Sequence, residues 1–157
     1  EALLERDRRL PAERFFREAL KEKPDDSAAT NQLALVLIEQ KDPEKQKEAM
    51  ELATKMFQAR ENSANAQATL GWVMYRSGQV SEAESILREA VQKPSIGPEA
   101  LYLAGRAFAD QGNNSDAANV AKMLTSRISQ PGIYVLRPLA RKWLETQADS
   151  ASVEAIP

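Results

Sequence analysis

The chain has 157 residues, of which 43% are hydrophobic and 28% are charged, which is typical of a globular protein with one hydrophobic core. Its net charge of −2 gives no reason to expect binding to nucleic acid or to an anionic membrane. Cysteine and histidine are both absent, which excludes disulfides, thiol catalysis and the usual transition-metal ligands, so no metal or cofactor is expected.

The first predicted element is a single helix within residues 1–26. The stretch Ala12–Pro24, AERFFREALKEKP, is similar to Ala83–Pro94, AESILREAVQKP, and in each stretch two alanines lie seven residues apart. Leu3 and Leu4 are expected to belong to the helix before it. Residues 1–26 are therefore predicted to be a partial repeat that consists mainly of its second helix.

Residues 27–63 are predicted to form a helix hairpin with an extended turn. The apolar run LALVLI, Leu33–Ile38, indicates the first helix. The turn has the sequence KDPEKQKEA, in which Asp42 is a typical N-cap and Pro43 a typical first helical residue. Ala49 lies 34 residues before Ala83 and begins the buried stripe of the second helix.

Residues 64–97 are predicted to form a second hairpin, with a tight turn. The apolar face of its first helix has the spacing i, i+4, i+7 and i+8, at Ala66, Leu70, Val73 and Met74. Gly78 is expected to end this helix in the left-handed region, and Ser81 with Glu84 forms a capping-box pattern for the next helix. Gly71 and Ala83 are expected to face each other, which lets the two helix axes approach closely.

Residues 98–131 repeat this pattern at a step of 34, since Gly71 recurs as Gly105 and Gly78 as Gly112. The following stretch, 132–147, breaks the pattern but carries an apolar stripe that includes Trp143, and it is predicted to be a helix that covers the last repeat. Pro138 is expected to kink or restart this helix. Residues 148–157 are small and polar and are predicted to form a frayed tail.

The ordered set of small and apolar residues resembles the tetratricopeptide repeat (TPR) family. The residues that match its pattern best are Leu70, Gly71, Met74, Gly78, Ala83, Leu87, Ala90 and Pro94. The preceding and following units match more loosely, and the resemblance extends from Ala12 to about Ser129. It implies an all-α protein, an α-solenoid of antiparallel helix–turn–helix repeats in a right-handed superhelix with a C-terminal capping helix.

The resemblance also implies a concave groove lined by the first helix of each repeat. In the repeat frame of the family, the groove positions are Asn31, Leu35, Ile38, Asn65, Thr69, Trp72, Tyr75, Arg76, Tyr102 and Arg106. Trp72 and Tyr75 share a helix face, and with Tyr102 and Arg106 they are expected to form an aromatic–arginine cluster of the kind enriched at binding hot spots. The alternative is that Trp72 is an ordinary core residue.

Three more specific functions are not favoured by the sequence. The family members that bind chaperone tails hold a carboxylate with a lysine and asparagines, and positions such as Leu35, Thr69 and Glu99 do not supply that clamp. No catalytic motif is present, and the charged side chains have the spacing of solvated helix faces, so no enzyme is expected. Contact of Arg8 and Arg9 with nucleic acid is a weaker hypothesis than an exposed mixed-charge face.

The sequence therefore predicts a protein-interaction scaffold that binds a peptide or a partner segment of unknown identity. The alternative is a structural spacer or self-association module, in which the repeat ends or a face near Phe15 and Phe16 form a homo-oligomer. The stretch TLGWVMYRSGQ, Thr69–Gln79, resembles bacterial TPR proteins of cell-envelope, secretion and exopolysaccharide systems.

No membrane span is expected, because the longest apolar run is far shorter than the ~20 residues that a spanning helix needs. The chain begins with Glu1 rather than Met, so it is expected to be a piece of a longer protein. A soluble protein is expected, and its compartment, cytoplasmic or periplasmic, is left open.

Overall fold

The computed structural model of the chain describes residues 6–60, 62–128 and 136–154. Over these residues the chain forms eight α-helices and no strand, which confirms the predicted all-α class. In chain order the helices are α1 (Arg6–Glu22), α2 (Ser27–Ile38), α3 (Pro43–Ala59), α4 (Ala64–Arg76), α5 (Val80–Gln92), α6 (Pro98–Asp110), α7 (Asn114–Ile128) and α8 (Arg137–Glu154).

Six of these helices form three consecutive hairpins, α2 with α3, α4 with α5 and α6 with α7. The first helices of successive hairpins lie side by side, because α2 contacts α4 and α4 contacts α6. At one end α1 contacts α2, and at the other end α8 contacts both α6 and α7. This arrangement is the predicted α-solenoid, and it places α2, α4, α6 and α8 in one row.

Turn residues end and begin the helices as their chemistry requires. Gly78 and Gly112 have φ angles of +88° and +76°, so both adopt the left-handed conformation predicted for the end of a first helix. Asp42 caps α3, since its carboxylate accepts a hydrogen bond of 3.0 Å from the backbone N–H of Glu44, and Pro43 follows at the first helical position. The predicted start of α3 is therefore confirmed.

The start of α5 differs from the prediction. The helix begins at Val80, after Gln79, and no side chain caps it, so Ser81 is not its N-cap. The backbone N–H of Ala83 already donates to the carbonyl of Gln79 at 3.0 Å, which means that helical bonding starts two residues earlier than a cap at Ser81 allows. The N-cap position is occupied by Gln79, directly after the left-handed Gly78, and the Gln79 side chain makes no capping hydrogen bond.

Small residues allow α4 and α5 to approach closely. A methyl group placed on Gly71 would lie 2.7 Å from Cγ of Leu87 and 3.4 Å from the carbonyl oxygen of Ala83. Leu87 and Ala83 are both fully buried. The predicted close contact between Gly71 and Ala83 is confirmed, and Leu87 is its nearest neighbour across the hairpin.

Charged side chains hold α1 against the first hairpin. Arg17 donates to both carboxylate oxygens of Glu48 in α3, at 2.8 and 2.7 Å. Glu13 is nearly buried and accepts hydrogen bonds from Lys45 and from Gln40, each at 2.7 Å. Burial by itself raises the pKa of Glu13, but the hydrogen bonds from Lys45, Gln40 and Arg17 outweigh it and lower this pKa to about 2.

The last described helix, α8, covers the open end of the third hairpin. Pro138 lies in its first turn, so this proline stands at the start of α8 and does not kink it. The helix continues to Glu154, whereas the sequence predicted a frayed tail from residue 148 onwards. The parts of the prediction that concern Leu3, Leu4, 132–135 and 155–157 lie outside the described residues.

Candidate functional site

A groove crosses the first turns of three successive hairpins. It has a cavity volume of about 730 Å³, and its lining comes from α1, the start of α2, the end of α3, the start of α4 and the start of α6. The lining includes Phe15, Phe16, Ala28, Asn31, Gln32, Met56, Arg60, Asn65, Thr69, Glu99 and Leu103. We call this cavity the first-turn groove. It lies on one face of the row formed by α2, α4 and α6.

Each of the three first helices contributes a polar side chain to the first-turn groove at the same repeat position. These residues are Asn31, Asn65 and Glu99, which follow one another at a step of 34. Oδ1 of Asn31 accepts a hydrogen bond of 2.6 Å from the Thr69 hydroxyl, and Oδ1 of Asn65 accepts one of 2.8 Å from the backbone N–H of Gly97. The Nδ2 groups of both asparagines donate to no side chain or backbone group of the described residues, so each remains available as a donor.

The carboxylate of Glu99 lines the groove and forms no ion pair with another described residue. One of its oxygens accepts a hydrogen bond of 2.8 Å from Nε2 of Gln32, and the other accepts one of 3.3 Å from the backbone N–H of Leu136. No lysine or arginine among the described residues pairs with it. Burial raises the pKa of Glu99, and the two hydrogen bonds from neutral donors offset only part of that effect.

The wall of the groove on the α1 side is apolar. Phe15 is 67% exposed, which is unusual for a large aromatic side chain, and its ring packs edge to face on Phe16 with centroids 5.3 Å apart. Met56 and Leu103 add further apolar surface to the lining. The first-turn groove therefore combines open apolar surface with a short row of polar groups, as binding sites for other molecules do.

The structure buries five of the predicted groove residues, namely Leu35, Ile38, Thr69, Trp72 and Tyr102. Only Thr69 among them lines the first-turn groove, so the prediction of an open surface is corrected for all five. Leu35 and Ile38 are core residues, because α2 lies between α1, α3 and α4 and the whole stretch 33–39 is buried. Thr69 is buried at the floor of the groove, where its hydroxyl is used by Asn31. Helical periodicity identified the side of α2 that Leu35 and Ile38 occupy but did not reveal that a neighbouring helix covers it.

Trp72 is likewise a core residue, and the prediction that its indole faces an open groove is wrong. Its side chain is only 2% exposed. The Arg76 guanidinium lies over the indole at 5.7 Å from the ring centroid, and the Tyr75 ring lies 5.6 Å away. Arg76 is itself held by an ion pair of 3.0 Å with Glu39, the residue that follows α2.

Tyr102 is 1% exposed, so the predicted aromatic–arginine cluster does not form an open surface. The physical reason is α8, whose Trp143 ring packs edge-on against Tyr102 with centroids 6.1 Å apart. Arg106 donates to the Tyr102 hydroxyl at 3.4 Å and lies 3.7 Å from Asp110. Burial raises the pKa of Tyr102, so its hydroxyl stays neutral near pH 7.

The remaining predicted residues are at least partly exposed but do not share one site. Asn31 and Asn65 line the first-turn groove, whereas Tyr75 and Arg76 line no part of it. Arg106 lines a second cavity of about 320 Å³ between α6 and α8. The ten predicted positions thus lie in the groove, in the core and in this second cavity, except Tyr75 and Arg76, which line neither cavity and lie over Trp72.

The sequence placed Glu99 at a groove position, in the comparison with the chaperone-tail clamp, and the structure places it in the lining, but the aromatic wall was not predicted. The step of 34 residues from Asn31 through Asn65 leads directly to Glu99, so the repeat period was sufficient to identify it as the third member of the row. No comparable signal exists for Phe15. Its place in the lining depends on the angle at which α1 packs on the first hairpin, and a single helix does not encode that angle.

Within 6–60, 62–128 and 136–154, no cluster of three or more acidic, cysteine or histidine side chains is arranged to hold a metal ion. None of the helices in these ranges has both the length and the apolar character that crossing a membrane requires.

A comparison with protein families agrees with this architecture. The family model described as anaphase-promoting complex, cyclosome, subunit 3 matches residues 42–124, which is more than half of the chain. The chain belongs to this family. The anaphase-promoting complex subunit 3 family is built from TPR-like repeats, so the resemblance to TPR proteins is confirmed. Helical repeats of this kind are typically non-catalytic and contact protein partners. No curated protein matches the chain.

Proposed function

We propose that the chain is a non-catalytic scaffold that binds an extended segment of a partner protein in the first-turn groove. The observation that supports this most directly is the pair of carboxamides, Asn31 and Asn65, whose oxygens are engaged and whose N–H donors are not. Such donors match the free carbonyl oxygens of an extended backbone. A helical segment uses its own carbonyls internally and would leave these donors unpaired.

The spacing of the donors is consistent with this proposal. Axes of packed neighbouring helices lie about 8–10 Å apart, and an extended chain advances about 3.3 Å per residue. Donors on α2 and α4 would therefore meet carbonyls about three residues apart. The apolar wall with Phe15 provides a surface on which a side chain of the same segment would be buried.

Peptide selection tests the proposal. The probe is a displayed library of random peptides of about nine residues, long enough to span the three first helices in extended form. The matched variants are Ala28→Trp, which places a large ring in the first-turn groove, and Ala118→Trp, which places the same ring on the exposed face of α7. We expect the unaltered chain and Ala118→Trp to select the same peptides and Ala28→Trp to lose them.

Selection of the same peptides by Ala28→Trp, with an unchanged melting temperature, would place binding elsewhere on the molecule. Failure of the unaltered chain to enrich any peptide would contradict binding of an extended segment. A role in a bacterial envelope, secretion or exopolysaccharide assembly rests on the likeness of Thr69–Gln79 to such proteins and stays a prediction.

A second candidate function is self-association through α1. It is favoured by two exposed apolar side chains on this helix, Leu10 at 64% and Phe15 at 67% exposure. Light scattering over a range of protein concentrations tests it. Self-association predicts a mass that rises with concentration and returns to that of a monomer in a Leu10→Glu, Phe15→Glu double variant.

A further inference from the structure

We propose that the partner segment carries a lysine or arginine side chain, and that this side chain pairs with the Glu99 carboxylate in the first-turn groove. This inference rests on the proposed function of the groove and adds the chemistry that selects the partner. It also locates the basic residue of the segment over α6, beyond the carboxamides of α2 and α4.

The first argument is charge. Glu99 receives hydrogen bonds only from the neutral donors Gln32 and Leu136, and no described cation reaches it. The segment 129–135, which precedes Leu136 in the chain, contains no charged residue. A half-buried carboxylate without a cation is unfavourable, and an incoming ammonium or guanidinium group would relieve that cost.

The second argument is geometry. Gln32 and Leu136 each occupy one oxygen of Glu99, so the carboxylate is held in a fixed orientation at the lining of the groove. A carboxylate has about four acceptor positions, and these two hydrogen bonds leave the others for a further donor. The described lining of the groove has two carboxylates, those of Asp26 and Glu99, and one cation, Arg60, so its net charge is negative and repels an acidic partner. A basic segment is therefore the complementary one.

The test uses the same peptide library with three matched variants. Glu99→Gln keeps the shape and still accepts from Gln32 through its one oxygen, but it removes the charge and loses the hydrogen bond from Leu136, whereas Glu99→Lys inverts the charge. Glu82→Gln removes one carboxylate from an exposed position of α5 outside the groove. Circular dichroism and melting temperature establish that each variant is folded.

We expect peptides selected by the unaltered chain and by Glu82→Gln to share a lysine or arginine at one position. Replacing that residue by glutamine in a selected peptide should weaken binding about tenfold or more, a difference that disappears in Glu99→Gln. Folded Glu99→Lys should select aspartate or glutamate at the same position.

Two other results separate this inference from the proposed function. If peptides are selected and lost in Ala28→Trp but show no basic preference, or the same preference in Glu99→Gln, the groove binds and the role of Glu99 is refuted. If no peptide is enriched by the unaltered chain, the proposed function and this inference both fail.

Discussion

The first and last described helices are attached to the array by different interactions. At one end α1 is held by charge, since Glu13 accepts from Lys45 within a network that continues to α3. At the other end α8 is held by an aromatic contact, since the Trp143 ring covers Gly105 and packs on Tyr102. The stability that an ion-pair network contributes depends on pH, and the network tolerates small shifts in helix position. A buried indole instead requires a cavity of fixed shape.

The aromatic contact depends on a change within the repeat. In the hairpin of α4 and α5, Leu87 fills the space next to Gly71. In the next hairpin the equivalent of Leu87 is Ala121, which is smaller by three carbon atoms, and the side chain next to Gly105 is Trp143 of α8. The glycine is therefore present at the same repeat position in both hairpins. The side chain next to it comes from α5 in one hairpin and from α8 in the other.

The largest effect is expected from Trp143→Ala. Removing this buried indole leaves a cavity beside Gly105 and uncovers Tyr102. The free energy of unfolding should fall by about 3–5 kcal/mol, the usual cost of truncating a buried tryptophan. Denaturant unfolding followed by circular dichroism measures this change.

Two companion variants sharpen the interpretation. Leu87→Ala should lower the free energy of unfolding by about 2–5 kcal/mol, because it also leaves a cavity in the core. Adding Ala121→Leu to Trp143→Ala makes the last hairpin like the preceding one and should recover part of the loss. A further loss on adding Ala121→Leu would show that Ala121 does not border the space that Trp143 fills.

A smaller effect is expected from Gly105→Ala, because the added methyl group would overlap the Trp143 ring. Overpacking of this kind costs about 1–3 kcal/mol, offset in part by the helix propensity of alanine. In the Trp143→Ala background the overlap is gone, so the same change should stabilise the protein by about 1 kcal/mol. The measurement is a double-mutant cycle of unfolding free energies.

Gly71→Ala is the matched comparison. Its neighbour Leu87 is present in both backgrounds, so this change should be unfavourable in both. If the loss of Trp143 changes the unfolding free-energy effects of Gly105→Ala and Gly71→Ala in the same way, the distinction between the two hairpins is refuted.

The smallest expected effect is a pH dependence of the free energy of unfolding, and it arises at α1, the other end of the array. The pKa of Glu13 is lowered from 4.5 to about 2, so its contribution to stability is complete above pH 4.5 and is lost as the pH falls towards 2. Glu13→Gln should therefore destabilise the protein at pH 7 and by much less at about pH 3. Urea unfolding at the two pH values, with Glu82→Gln as the matched loss of one carboxylate, measures this difference.

Trp143→Ala gives the contrast between the two ends. Its loss involves no titrating group, so it should be the same at both pH values. A Glu13→Gln loss that does not diminish in acid would contradict the role of the charged network at α1.

Much of the fold was predictable because it depends on local features that recur. The step of 34 residues, the left-handed glycines at Gly78 and Gly112, and the cap at Asp42 all act within one hairpin. The start of α5 was not predicted, because Ser81 has the right chemistry for a cap but the preceding turn already continues into the helix.

The candidate site was predictable only in part. Asn31 and Asn65 were identified from the repeat frame, and both line the first-turn groove. Trp72 and Tyr102 were misassigned because helical periodicity specifies a face but not the side chains that cover it. Arg76 covers Trp72, and Trp143, 41 residues further along the chain, covers Tyr102.

The sequence by itself thus determined the repeat, its helices and the turns between them, since these follow from periodicity and from residues a few positions apart. The tertiary structure alone decided which faces of α4 and α6 remain open, because exposure depends on how neighbouring helices pack. It also brought Phe15 of α1 and Glu99 of α6 into the lining of one groove, an arrangement of distant parts of the chain that no local pattern encodes.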